Sequence, residues 1–489
     1  MKKAYDVDQI RAAEAPLLAG LPQGTLMQRA ARALARRCAQ QLGQVYGSKV
    51  VVFVGAGNNG ADALWAAAEL ARRGAAVEAL LVAKPDEAAS AALVAAGGRL
   101  MDAGADSDAE LIGRADLVID GLVGIGANGP LRQPHARLAT LANEQAACVV
   151  AVDVPSGVDA STGEVAGVAV RADVTVTFGG WKIGLLVEPG ASHAGTVDPV
   201  DIGLQLPAPS VVALEADDVA AVLPDPGAES DKYQRGVVGV VAGSDRFTGA
   251  AVLAVGGALA AGAGMVRYVG PERPATLVRE RWPEAVVTIA APGDVDSLND
   301  AGKVQAWVCG PGLGTDEAAA RITRAVCSSD VPVLLDADAT TVISHDQDVV
   351  RSRRAPTVLT PHAGEFARLM SADRADVEAA RLNAVRAAAR QLGAVILLKG
   401  ATTLVADADG SVRVNTAATP YLATAGTGDV LAGMCGALLA GGVSAVDAAA
   451  AGAFLHGLAG LLAAGDPPAP ISASDVIRAV PRAVRAVRG

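Results

Sequence analysis

Short apolar runs that stop at a polar residue and a glycine loop recur along the whole chain, and a helical pattern follows each. The first is Lys49-Val50-Val51-Val52-Phe53-Val54, which reads as a strand buried on both faces. The loop Gly55-Ala56-Gly57-Asn58-Asn59-Gly60 comes next. A helix over 61–73 and a strand over 77–82 complete a β-α-β unit, which calls for a parallel sheet. The alternation continues with strands expected at 116–120, 149–153 and 173–178. Upstream, 8–42 reads as helix interrupted at Pro22 and Gly24, with Ile10, Leu17, Leu18, Leu26, Ala30, Leu34 and Cys38 as candidate buried positions.

A looser stretch carrying Pro207, Pro209, Pro224 and Pro226 breaks the series. The boundary falls near Leu206 to Val212, giving domains over 1–208 and 209–489. A short helix over 215–223 opens the second series. Its strands are expected at 237–241, 265–269, 285–289, 305–309, 333–335, 358–359 and 395–398, with a small-residue helix from Gly249 and helices again at the C-terminus. The 489 residues are 51% hydrophobic but only 3% aromatic, so the cores must be packed from Ala, Val and Leu.

The net charge of −11 argues against nucleic acid as a general partner. The runs 247–266 and 448–464 approach membrane-spanning length, but they are mostly Ala and Gly and read as buried helices, so no membrane is expected. The five cysteines form no C-x-x-C pair and do not cluster with the five histidines. A reducing compartment is expected, without zinc or a disulfide framework. Residues 1–6 lead into no apolar signal segment. Cytoplasmic localisation is expected.

In open parallel sheets ligands bind at the carboxyl ends of the strands. Asn59, Asp120, Asp153 and Ser156 fall on that edge in the first series. Asp336, Asp338, His362, Glu365, Lys399 and Asp429 fall on it in the second. One such residue is usually a cap or a turn former; several on one edge point to a site. Gly310-Pro311-Gly312-Leu313-Gly314 brings backbone close to a ligand, although a tight turn has the same pattern. Lys399 is placed either beside a phosphate or in solvent. In Ala425-Gly426-Thr427-Gly428-Asp429-Val430, two glycines open a helix whose free N–H groups suit an anion. Asp429 then stands where a carboxylate takes a proton from a hydroxyl near a bound phosphate. Neither a Walker A motif nor a G-x-S-x-G elbow is present.

The stretch Ala425 to Asp429 resembles the anion hole and base of ribokinase-like small-molecule kinases. Together with Gly310 to Gly314, Thr360-Pro361-His362-Ala363-Gly364-Glu365 and Lys399-Gly400-Ala401-Thr402-Thr403, it resembles the ADP- or ATP-dependent NAD(P)H-hydrate dehydratases. In the first half, Gly57-Asn58-Asn59-Gly60-Ala61-Asp62, the stretch 120–130, Asp153-Val154-Pro155-Ser156-Gly157 and Phe178-Gly179-Gly180-Trp181-Lys182 resemble the NAD(P)H-hydrate epimerases of the YjeF N-terminal type. This order is similar to that of the bifunctional NAD(P)H-hydrate repair enzymes and covers nearly the whole chain. The resemblance implies a Rossmann-like three-layer α/β/α sandwich followed by a ribokinase-like α/β domain. It implies a lyase and isomerase for metabolite repair. The first domain interconverts the R and S hydrates of NADH and NADPH. The second dehydrates the S form with ADP as phosphoryl donor (ATP being possible), giving AMP and phosphate.

The resemblance also implies residue roles. Asp429 is the dehydratase base, with Ala250, Gly312 and His362 on the hydrate. Lys399, Gly400, Ala401, Thr402, Thr403 and Gly428 contact the adenine nucleotide, which brings Mg2+. In the epimerase, Asn58, Asn59, Gly60, Ala61, Asp62, Gly124, Ile125, Gly126, Ala127, Asn128, Gly129, Pro130 and Asp153 hold the hydrate. Asp153 handles the proton, with Lys182 as a helper. Potassium falls to Asn59, Asp120 and Ser156, whose oxygens suit a hard cation. The partners implied are NAD(P)H hydrates and an adenine nucleotide, in a homo-oligomer. One departure stands out. Ala61 and Ala63 replace two glycines of the family's Asn-Asn-Gly-Gly-Asp-Gly loop, each adding a methyl where backbone would meet ligand or strand. Reduced epimerase activity is one expectation. Two other readings stay open: a ribokinase-like vitamin or sugar kinase, and a first domain that only binds.

Overall fold

The computed structural model describes residues 1–489. The chain divides into two compact units, Lys3–Ser210 and Val211–Gly489, the latter taking in Met1–Lys2.

The first unit holds a seven-stranded sheet. Its strands are β1 (Lys49–Val54), β2 (Ala76–Leu81), β3 (Arg99–Asp102), β4 (Leu117–Gly121), β5 (Val149–Val152), β6 (Val174–Phe178) and β7 (Thr196–Val200). They run in the order β3-β2-β1-β4-β5-β6-β7, and every neighbouring pair is parallel. The strand β1 shows why both faces are buried. Val50, Val52 and Val54 pack with Leu34 and Cys38 of helix α2 (Thr25–Leu42) and Leu64 of helix α3 (Asn58–Arg72). Val51 and Phe53 pack on the other side with Leu138 and Ala142. Alternate residues thus feed two cores, and the unit is a three-layer α/β/α sandwich.

Helix α3 starts at Asn58, so Asn58, Asn59 and Gly60 form its first turn rather than the loop that the sequence pattern implies. Gly57, at φ +84°, makes the turn instead. A Cβ on Gly60 would sit 2.3 Å from the Gly55 carbonyl oxygen, so only glycine lets the helix begin this close to β1. Helix α1 (Val7–Gly20) opens with a capping box between Asp6 and Gln9. Leu18, read from sequence as a core position, is instead 63% exposed, and Leu17 and Leu26 are half-buried. The reason is local: α1 ends at the rim of a cavity, not over the sheet.

In the second unit the strands are β8 (Val211–Ala213), β9 (Val237–Val241), β10 (Met265–Gly270), β11 (Val286–Ile289), β12 (Ala306–Cys309), β13 (Val333–Leu335), β14 (Thr357–Leu359), β15 (Val395–Leu398), β16 (Thr403–Ala406) and β17 (Val412–Asn415). They run in the order β11-β10-β9-β12-β13-β14-β15-β16-β17-β8. The pairs β15–β16 and β16–β17 are antiparallel, a departure from the all-parallel sheet that the repeated pattern implies. The sheet packs against helices α4 (Thr248–Ala260), α7 (Thr427–Ala440), α8 (Ala445–Ala464) and α9 (Ala473–Arg488), while α5 (Ala363–Met370) follows β14 and α6 (Arg381–Leu392) packs against β15 and β16. Glycine brings α4 and α7 together. A Cβ on Gly433 would sit 2.0 Å from the Ala254 carbonyl oxygen, and one on Gly257 would sit 2.3 Å from that of Val430. One helix, α8, is long and apolar enough to cross a membrane. Its Ala448, Ala451, Leu455 and Ala459 lie in this core.

Candidate functional site

In each sheet the strand order reverses beside the first strand of its series, at β1/β4 and at β9/β12. Loops diverge there and leave a crevice.

In the first unit the crevice is a cavity of about 720 Å3, lined by Glu14, Asn58, Asn59, Asp62, Gly124 to Ala127, Asp153 and Phe178. Asp153 follows β5 at φ +67°, a conformation uncommon outside glycine. Its Oδ1 accepts from Thr177 Oγ1 at 3.1 Å, from the Phe178 N–H at 3.0 Å and from the Lys182 ammonium. Lys182 is fully buried and donates also to the Phe178 carbonyl at 2.6 Å and to Thr177 Oγ1 at 3.1 Å. Both members of this buried pair are therefore hydrogen-bonded as well, which its desolvation requires.

Asp62, one turn into α3, is 8% exposed, and its Oδ1 has no partner. Burial first, then the charges of Asp153 and Glu14, hold its carboxyl well above the usual carboxylate range. Glu14 of α1 is raised by burial too, with Lys182 pulling it back. A lysine-paired carboxylate and a carboxyl whose ionisation is disfavoured by burial thus line one cavity. Such a division sets apart a proton acceptor and a proton donor.

Behind them lies Asp120, fully buried at the end of β4. It accepts from Ser156 Oγ at 2.7 Å, Ser156 N–H at 2.8 Å and Leu122 N–H at 3.3 Å. Burial pushes it up to about 6, and no side-chain cation offsets that. Asn59 donates to the Val123 carbonyl at 3.0 Å, and Ser156 Oγ lies 3.3 Å from the same oxygen. The Asp120 carboxylate, Ser156 Oγ and the Val123 carbonyl are linked by hydrogen bonds, and Asn59 joins them at that carbonyl. Oxygen donors beside an uncompensated carboxylate fit a hard cation.

Gly60, Ala61, Asn128, Gly129 and Pro130 do not line the cavity. Ala61 and Ala63 are buried. A Cβ on Gly121 would lie 2.6 Å from the Ala63 Cβ, so the Ala63 methyl packs against β4, away from the cavity.

In the second unit, Lys399 follows β15 and reaches Asp336 Oδ1 at 2.9 Å and Glu365 Oε2 at 3.8 Å. Asp336 also accepts from Thr360 Oγ1 at 2.8 Å. Burial would lower the Lys399 ammonium, but Asp336 and Glu365 outweigh it and hold the group above its ordinary value. Asp429 lies half-buried in the first turn of α7. Burial pushes its carboxyl up to about 7; the Asp336 charge adds to this and Lys399 opposes it. A carboxyl that titrates near neutrality is suited to general acid–base work.

Gly426, at φ +87°, turns the chain into α7 and leaves the first-turn N–H groups open. A Cβ on Gly428 would come to 3.4 Å from Lys399 Nζ, so helix start and ammonium are adjacent. The Thr427 hydroxyl is within hydrogen-bonding distance of the Leu422 and Thr424 carbonyls at 2.8 and 3.0 Å, and it staples the preceding loop. Gly312, at φ +61°, abuts Ala250: a Cβ there would be 2.7 Å from the Ala250 Cβ. A cavity of about 450 Å3 opens alongside, lined by Ser244, Arg246, Phe247, Gly314 and Asp338.

His362 caps α5. Its Nδ1 accepts from the Gly364 and Glu365 N–H groups at 3.0 and 3.2 Å, while Glu365 Oε2 accepts from the His362 N–H at 2.8 Å. Only Nε2 remains for a ligand, and it lies 3.4 Å from Glu365 Oε1. Sequence reasoning missed Arg381. It is 5% exposed, and its Nη2 donates to the carbonyls of Leu398, Lys399 and Thr402 at 3.2, 3.1 and 3.2 Å. A Cβ on Gly400 would meet that nitrogen at 2.4 Å. One guanidinium therefore shapes the whole 399–402 loop.

Comparison with known proteins adds to this geometry. Residues 238–482 match the family described as NAD(P)H-hydrate dehydratase, and residues 23–184 match the YjeF-related protein N-terminus. The chain is 50% identical over 457 residues to the bifunctional NAD(P)H-hydrate repair enzyme Nnr of Mycobacterium tuberculosis (strain CDC 1551 / Oshkosh), over 92% of each chain. It is similar to the ADP/ATP-dependent NAD(P)H-hydrate dehydratase from Bacillus subtilis co-crystallised with ATP/Mg2+, at 30% identity and TM-score 0.50 over 56% of this chain and 97% of that one. A ribokinase-like superfamily protein from Enterococcus faecalis V583 matches at 25% identity and TM-score 0.50, over 58% of this chain and 98% of that one.

Proposed function

The chain belongs to the bifunctional NAD(P)H-hydrate repair enzymes, and from that premise we propose that Asp429 and the Asp62–Asp153 pair carry its two reactions. It is an NAD(P)H-hydrate epimerase and an NAD(P)H-hydrate dehydratase in one chain.

In the dehydratase, hydroxide is a poor leaving group and phosphate a good one. Asp429 takes the proton from the ring hydroxyl of the S hydrate as its oxygen attacks the terminal phosphorus of ADP. The N–H groups at 426–428 stabilise the charge on the transferred phosphoryl. Lys399, fixed by Asp336 and Glu365, balances charge on the departing nucleotide. The ring-nitrogen lone pair then expels phosphate, and loss of a neighbouring ring proton restores the dihydronicotinamide. Arg381 keeps the Lys399–Thr403 loop, including Ala401, in place for the nucleotide. Ala250 and Gly312 leave room for the ring, and His362 offers Nε2. Magnesium would enter with the nucleotide phosphates and neutralise them; no cluster of three or more acidic, histidine or cysteine ligands is set up to hold it alone.

In the epimerase, the protonated Asp62 gives its proton to the ring hydroxyl, the C–O bond breaks to release water, and the ring nitrogen supplies the electron pair. Water returns to the opposite face of that carbon and gives a proton to Asp153. Asn59, Asp120 and Ser156, with the Val123 carbonyl, would hold potassium, which supplies charge compensation for Asp120. Asn58 and Gly124 to Ala127 enclose the hydrate.

The observation that carries this reading is the Asp429 carboxyl near neutrality at an open helix start beside Lys399. The test is to incubate mixed NADHX epimers with ADP, Mg2+ and K+ while following reduced-cofactor absorbance and free phosphate. Full recovery is expected. Recovery of the S fraction alone would remove the epimerase assignment, and a stable phosphorylated product would replace the dehydratase with a kinase.

A further inference from the structure

Outside both crevices, α2 and α3 of the first unit flank a surface cavity of about 1120 Å3. Arg32 and Arg36, one turn apart on α2, line it with Arg72 and Arg73 at the end of α3. All four are exposed. Their neighbours are otherwise engaged: Arg37 pairs with Asp198, and Arg29 donates to the Ile202 carbonyl. None of the four is paired with a carboxylate, although Glu69 is on the wall. Trp65, half-buried on α3, presents part of its indole to the same space.

Four like charges on the wall of one groove repel, and no carboxylate pairs with any of them, so the groove is a local positive site on a chain whose net charge is −11. A polyanion relieves that repulsion. Guanidinium forks match phosphate oxygens two at a time. The indole face adds a second requirement, a planar group to stack on, and a base supplies one. An acidic peptide would satisfy the arginines and leave Trp65 without a planar partner. A long nucleic acid would run from the groove onto a negatively charged molecule. We propose that this groove binds a free nucleotide carrying two or more phosphates, at a site additional to the dehydratase loop.

The test uses ADP and the full-length protein. Calorimetric titration at low salt is expected to give two ADP per chain for the wild type and one for Arg32→Ala/Arg36→Ala, with ADP-dependent dehydration unchanged. Trp65→Leu is expected to weaken the additional site at least tenfold for ADP while leaving its affinity for inorganic pyrophosphate unchanged. An equal ADP count in wild type and double variant overturns the proposal. So does a Trp65→Leu protein whose ADP affinity is unchanged. A double variant that changes sedimentation without losing an ADP also overturns it, since the groove would then be an interface between copies of the chain.

Discussion

Asp429 and Asp120 are carboxyls raised by the same cause, burial, but their surroundings differ and so do the consequences. Asp429 is pushed up to about 7, with Asp336 adding and Lys399 opposing. As a base it must be ionised, so kcat/KM for dehydration should rise with pH and level off above about 7. Removing the opposing charge in Lys399→Met should move that acid limb to higher pH; a limb that stays or moves down would contradict the assignment. Asp429→Asn should reduce dehydration about 10²- to 10⁴-fold and leave epimerisation intact. The stability sign follows from the same shift. The folded protein holds this proton above the unfolded value, so the contribution is full below 3.8 and is lost as pH rises through about 7. Asp120, raised to about 6 without a cation, has a different neighbour to gain. Protons compete with potassium there, so K+ affinity should fall as pH drops through about 6. The rise in unfolding temperature with added KCl should disappear in Asp120→Asn; a KCl effect that survives would refute the ligand set.

Helix α7 sets Asp429 by leaning its glycines on α4. Gly433→Ala would press a methyl to 2.0 Å from the Ala254 carbonyl oxygen, so the helices must part. We expect a loss of about 1–3 kcal/mol in denaturant unfolding of the second unit, with dehydration impaired and epimerisation kept. Equal loss of both activities would contradict this. Arg381→Met removes the clamp on the 399–402 loop and should raise KM for ADP about tenfold or more with kcat largely kept; steady-state kinetics would show the split. The same elements show what could be read from sequence. The buried strands β1, β9 and β15 were legible because a short apolar run rich in Val and Ile, followed by a glycine loop, has few other uses. The start of α3 was not, because Asn-Asn-Gly looks like a loop and the turn lies earlier, at Gly57. The β16–β17 hairpin is signalled only by Asp409-Gly410 between short apolar runs, and Thr403, at the start of β16, also continues the Lys-Gly-Ala-Thr-Thr motif. Arg381 was invisible because its partners lie 17–21 residues later and are carbonyls. The raised carboxyl of Asp62 was invisible too, since it depends on burial beside Asp153 and Glu14.

At the scale of the molecule, the order of the motifs made both activities legible, because the polar residues of each half gather at the carboxyl ends of the strands of its own sheet. A chain of two compact units need not unfold in one step, and each unit should answer to its own ligand. The tryptophans divide evenly: Trp65 and Trp181 belong to the first unit, Trp282 and Trp307 to the second. Variants retaining one pair report one unit each. In an Arg32→Ala/Arg36→Ala background, where the α2–α3 groove takes no nucleotide, ADP with Mg2+ at about 100 times its Kd should stabilise the unit that binds it by about 2.7 kcal/mol, roughly 5–10 °C. That shift should appear in the Trp282 and Trp307 signal and not in the Trp65 and Trp181 signal. Potassium should do the reverse. If either ligand moves both signals equally, the units unfold as one and the separation drawn at Ser210 does not describe the energetics. If the two ligands exchange signals, the sites have been assigned to the wrong halves. A clean double dissociation would mean that Asp429→Asn and Asp153→Ala can be studied in one chain as independent lesions, each cutting one reaction by orders of magnitude while the other continues at the wild-type rate.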